Sequence, residues 1–82
     1  MEFEWDEAKN EANRLKHGFD FTFAIRIFNG PVRQWADLRP RDEARVVAVG
    51  QVDALYVTVI YTRRSGRYRI ISARPARRDE RD

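Results

Sequence analysis

Ser72 and Arg74 stand two positions apart in a run with the composition of a strand, Arg67 to Arg74. At that spacing their side chains share a face about 7 Å apart. A hydroxyl and a guanidinium so placed suit one phosphate group, because the planar guanidinium donates a charge-assisted fork to two oxygens and the hydroxyl supplies a third contact. A second pair, Lys16-His17, sets a cation beside the chain's single histidine. An unperturbed imidazole titrates near ~6.5 and so can take or give a proton at neutral pH. The two pairs thus offer a phosphate contact and a group able to move a proton. Both pairs also have ordinary structural roles, since arginine on an edge strand discourages pairing with other chains and cations at a helix C-terminus complement its dipole.

The charge of the chain is uneven. From Arg63 to Asp82 there are eight arginines against three acidic residues, a net of +5, while Met1 to Thr62 carries eight basic and ten acidic residues, a net of −2. The whole excess of +3 therefore belongs to the last quarter, an electrostatic footprint for a polyanion such as nucleic acid. Arginine outnumbers lysine fourteen to two, which favours bidentate contact with phosphate or carboxylate.

These residues need elements to hold them. Phe3 to Trp5, flanked and interrupted by Glu2, Glu4 and Asp6, alternates as a short half-buried strand. Asp6 is positioned as an N-cap, Glu7 to His17 are helix formers with Ala8, Ala12 and Leu15 as an apolar stripe, and Gly18 is the stop. Asp20 caps a second helix in which Phe21, Ile25 and Phe28 recur at helical spacing up to Asn29-Gly30-Pro31. Val32 to Leu38 is a weak strand containing Trp35, and Arg39 to Glu43 is a loop. Three stronger strands follow over Arg45–Val49, Leu55–Thr62 and Tyr68–Arg74, joined by hairpin turns. In regular alternation Tyr68, Ile70, Ser72 and Arg74 share one face of the last strand, and Arg67, Arg69, Ile71 and Ala73 the other.

Helices early and a meander late predict an α+β fold, with two helices covering one face of a four- to five-stranded antiparallel sheet and the other face free for a ligand. Residues 1–82 form one domain on this reading, large enough to fold alone but with a thin core, and 75–82 form a short or truncated tail. With no cysteine, neither a disulfide nor a thiolate metal site can form, and scattered carboxylates predict no metal centre. No cofactor is expected, since a phosphate-binding glycine loop and a dinucleotide fingerprint are both missing. The acidic N-terminus lacks a signal peptide's basic and apolar regions, no apolar run is long enough for a membrane helix, and a cytoplasmic protein without membrane contact is expected.

Several segments together resemble the BrnT family of toxins from bacterial type II toxin-antitoxin systems. These are the opening Phe3-Glu4-Trp5-Asp6-Glu7-Ala8-Lys9, the Asn13-Arg14-Leu15-Lys16-His17-Gly18 helix end, the Phe21 to Phe28 helix, and Ile70-Ile71-Ser72-Ala73-Arg74-Pro75-Ala76 with Glu80-Arg81. The resemblance implies a RelE-like fold and a ribonuclease that arrests translation. It also implies a BrnA-like antitoxin that neutralises the toxin in a hetero-oligomer, often 2:2. Members usually continue into a C-terminal helix beyond the Glu-Arg, whereas this chain ends at Asp82.

The expected mechanism is metal-independent: the 2′-OH of the RNA attacks the adjacent phosphorus. Arg74, Lys16 and Arg69 stabilise the charge, Ser72 contacts the phosphate and His17 moves the proton. Arg63, Arg64, Arg67, Arg77 and Arg78 are the expected RNA-binding fringe. The alternative is a module that uses the same arginines to hold nucleic acid or a partner without cutting anything.

Overall fold

The computed structural model describes residues 1–40 and 42–81. Arg41, within the loop expected at Arg39 to Glu43, and Asp82 lie outside the described residues. The elements run β1 (Phe3–Trp5), α1 (Glu7–His17), α2 (Phe21–Ala24), a 3-10 turn (Ile25–Asn29), β2 (Arg33–Asp37), β3 (Arg45–Val52), β4 (Leu55–Arg64), β5 (Arg67–Pro75) and α3 (Arg78–Arg81). The fold is α+β. The last three strands, β3 to β5, are longer than expected because their turns tighten to Asp53-Ala54 and Ser65-Gly66, where Asp53, Ser65 and Gly66 adopt positive φ.

Local signals act as their chemistry requires. The Asp6 carboxylate accepts from the backbone N–H groups of Ala8 and Lys9, and Asp20 accepts from that of Phe23. Gly18 closes α1 at φ 84°, and its N–H donates to the Arg14 carbonyl.

The five strands form one sheet in the order β1-β5-β4-β3-β2. Its central strands are antiparallel, but β1 joins β5 in parallel, pairing Phe3 with Tyr68 and Trp5 with Ile70, so the expected all-antiparallel sheet is in fact mixed. The N-terminal strand returns to the far edge of the sheet because its apolar residues complete the core there. Phe3, Phe28, Tyr61 and Tyr68 form an aromatic group with ring centroids 5.0 to 6.2 Å apart, and Trp5 meets Phe21 edge-on at 5.9 Å.

The main core is made by Phe21, Ala24 and Ile27 with Ala48, Val52, Val57, Val59, Tyr61, Ile70 and Ala73 from the strands. Gly50 lets this layer approach: a Cβ there would lie 2.7 Å from the Cβ of Ile27. The apolar stripe expected on α1 is absent from this core. Leu15 is 72% exposed and Ala8 and Ala12 are exposed, whereas Asn10 and Asn13, each 8% exposed, face inward. Hydrogen bonding explains the exchange. The Asn10 side-chain oxygen accepts from the Phe21 N–H at 2.8 Å, and the Asn13 amide donates to the Phe19 carbonyl at 3.2 Å, so the asparagines tie α1 to the turn that follows it.

The opposite face of the sheet is also partly covered. Val47, Val49 and Ile60 form a small cluster there with Ala76, and the chain after β5 folds back across it into α3. The face expected to be free is thus capped at one end by residues 76–81.

Candidate active site

The first determinant of the site is a β-bulge. Tyr61 pairs with Ile70 but Ile60 pairs with Ser72, which leaves Ile71 as an extra residue and reverses the alternation of β5. Regular parity on that strand is therefore overturned: Tyr68 and Ile70 point into the main core, while Ser72 and Arg74 share the other face with Arg69 and Arg67. Ser72 lies beside Ile60, Arg74 beside Thr58 and Arg69 beside Thr62.

The second determinant is the position of α1. The short strand β1 covers β5 only as far as Ile70, and beyond it the Ala73 N–H donates to the Asn13 side-chain oxygen at 3.3 Å. The helix thereby takes over the edge of β5 where the strand ladder stops. Between them is a depression of about 400 Å3 lined by Lys9, Ala12, Asn13, Lys16 and His17 from the helix and by Ile71 to Arg74 from the strand. The two pairs singled out in the sequence, Lys16-His17 and Ser72/Arg74, are brought together here across 55 to 58 positions of chain. Lys9, which the sequence reading passed over, lies two helical turns before Lys16 on the same face and completes the basic lining. His17 stacks on Phe19, with ring centroids 6.3 Å apart.

The third determinant is Glu80, buried on α3 with 8% of its surface exposed. Its two carboxylate oxygens accept from Nη1 and Nη2 of Arg74 at 2.7 and 2.8 Å. The Thr58 hydroxyl (2.9 Å) and the Arg77 N–H (2.8 Å) complete the shell, and the Glu80 carbonyl accepts from Arg33 at 3.1 Å. The Arg74 bond holds the Glu80 carboxyl at about 2, below the ordinary carboxylate range, and burial opposes this less strongly. The same contact raises the pKa of Arg74. The sequence offered one signal for the pair, a glutamate six positions after an arginine with proline between, but not its geometry.

The remaining expected residues sit outside the depression. Arg69 pairs with Glu4 at 2.7 Å and Arg67 with Glu2 at 3.2 Å, both across the β1–β5 junction. Arg64 reaches Glu43 at 3.5 Å, and Arg63 lies over the Tyr68 ring at 4.3 Å. Arg77 and Arg78 are exposed. Arg67, Arg69 and Arg74, the arginines of β5, are thus each paired with a carboxylate. Among the described residues, no three histidine, aspartate, glutamate or cysteine side chains converge as metal ligands, and no helix is long and apolar enough to cross a membrane.

A comparison with curated proteins finds no match. A family model does match, over residues 5–80, and its description is the ribonuclease toxin, BrnT, of type II toxin-antitoxin systems. That span begins in β1 and ends at Glu80, taking in every residue of the depression and its buried carboxylate. The chain belongs to the BrnT family of ribonuclease toxins from type II toxin-antitoxin systems.

Proposed function

We propose that the protein is a metal-independent endoribonuclease whose reaction takes place in the α1–β5 depression. The observation that carries this reading is the convergence of Lys16, His17, Ser72 and Arg74 on one concave, basic surface. The scissile phosphate is bound by Arg74 and the Ser72 hydroxyl, with Lys16 and Lys9 facing them from the helix. The RNA 2′-OH attacks the adjacent phosphorus: the O2′–P bond forms, the P–O5′ bond breaks, and a 2′,3′-cyclic phosphate and a 5′-hydroxyl result. Neutral His17 takes the 2′-OH proton, and the departing oxygen is protonated from solvent. Fixed guanidinium donors aimed at the non-bridging oxygens offset the charge that develops there, an effect worth several kcal/mol when no reorganisation is needed.

On this reading Arg69 contributes to the local field through its place beside the site, and Arg63, Arg64, Arg67, Arg77 and Arg78 guide the RNA backbone. The architecture is the RelE-like one, with both N-terminal helices on one side of the sheet, in a single domain acting in the cytoplasm. Membership of a type II system implies an antitoxin; we take it to be BrnA-like and to form a 2:2 complex.

The test is incubation of purified protein with messenger RNA in EDTA. Discrete fragments ending in cyclic phosphate are expected, and Arg74→Ala and His17→Ala are expected to lower the rate by about 10²-fold or more. A salt-sensitive gel shift without fragments assigns the protein to the binding-module alternative. Wild-type rates in both variants exclude the residue assignment.

A further inference from the structure

Glu80 engages Arg74 end-on, through Nη1 and Nη2, and this choice of edge has a chemical consequence. A guanidinium has five N–H donors, and an end-on carboxylate uses two of them. The Nε–H and the second hydrogen on each terminal nitrogen remain, which leaves the side-on fork of Nε and Nη available for two oxygens of a phosphate. Arg74 lines the depression with 22% of its side chain exposed, and the edge away from Glu80 is the one left to meet a ligand there.

The carboxylate is itself held from several sides. It is fixed by Thr58 from β4 and by the Arg77 N–H, and the backbone that carries it is tied to β2 through Arg33. Among the charges acting on Arg74, Asp79 favours its cation and Arg39 opposes it, both more weakly than Glu80 does.

We propose that Glu80 is the positioning residue of the site, holding Arg74 by its outer edge so that the remaining fork is preorganised toward the scissile phosphate. This rests on the ribonuclease reading above. It assigns α3 a part in catalysis, since without it Arg74 is a flexible side chain that must be ordered each time RNA binds. Glu80 brings a negative charge close to a phosphate site, so its presence weakens ground-state attraction of RNA while improving the geometry of the reaction.

That opposition gives the test. With an RNA oligonucleotide containing a cleavage site mapped on the wild-type protein, Glu80→Gln is expected to lower kcat by about 10- to 100-fold, the cost of a loosened catalytic group. KM is expected to stay the same or fall. In an Arg74→Lys background, where no fork exists to be aimed, Glu80→Gln is expected to change kcat less than two-fold; a purely structural loss multiplies through both backgrounds. Thr58→Val removes one support and keeps the charge, and a drop of about three-fold in kcat is expected, which also decides the matter should Glu80→Gln fail to fold.

The proposal is overturned by a folded Glu80→Gln, or by Thr58→Val in its place, with wild-type kcat. Equal effects of Glu80→Gln in the two Arg74 backgrounds also overturn it. If instead Arg74→Ala cleaves RNA as well as wild type, it is the ribonuclease site assignment that fails.

Discussion

The Glu80 carboxylate makes a quantitative prediction about acid stability. Its folded-state value of about 2 lies below the ordinary 4.5, so the ionised form is favoured by folding. The contribution is therefore fully present above about pH 4.5 and is lost progressively as pH falls toward 2. At 1.36 kcal/mol per pKa unit, the difference amounts to about 3 kcal/mol. A residue exposed to only 8% needs little discount for screening by solvent. For a domain of this size, about 3 kcal/mol corresponds to roughly 12–24 °C in Tm. Thermal or urea melts of the wild type and Glu80→Gln from pH 7 to pH 2 isolate it, because every other carboxylate titrates equally in both proteins. The stability gap is expected to be largest near neutrality and to close by about pH 2. A gap that stays constant from pH 5 to pH 2 refutes the argument.

Asn13→Ala removes both the donor to the Phe19 carbonyl and the acceptor of the Ala73 N–H, and a loss of about 2–4 kcal/mol by urea denaturation is expected, far more than an exposed helical position normally costs. Gly50→Ala forces a Cβ to within 2.7 Å of the Ile27 Cβ, and destabilisation of about 1–3 kcal/mol is expected in the same assay.

What the sequence made legible was local. Asp6, Gly18 and Asp20 mark helix boundaries because capping is decided within three or four residues, and the β-branched runs mark strands for the same reason. Lys16, His17, Ser72 and Arg74 could be named from side-chain chemistry alone, without knowing what brings them together. The parallel pairing of β1 with β5 left no local trace, being a three-residue contact made at long range. The bulge at Ile71 was hidden because no glycine or proline marks it, and one extra residue was enough to reverse which arginines lie beside Ser72. The burial of Asn10 and Asn13 left no sign in the sequence because polarity usually means exposure, whereas here their amides replace an apolar contact with hydrogen bonds to backbone.

The pairing of the first strand with the last also governs when the molecule comes into being. Glu4 and Arg69 meet across 65 positions, nearly the whole length of the chain. During synthesis β1 and α1 emerge from the ribosome long before they have a partner, and a contact of such long range closes late in folding. The basic end of α1 has nothing opposite it until Ser72 and Arg74 have been made. A nascent chain therefore cannot present the depression before β5 has emerged and closed on α1.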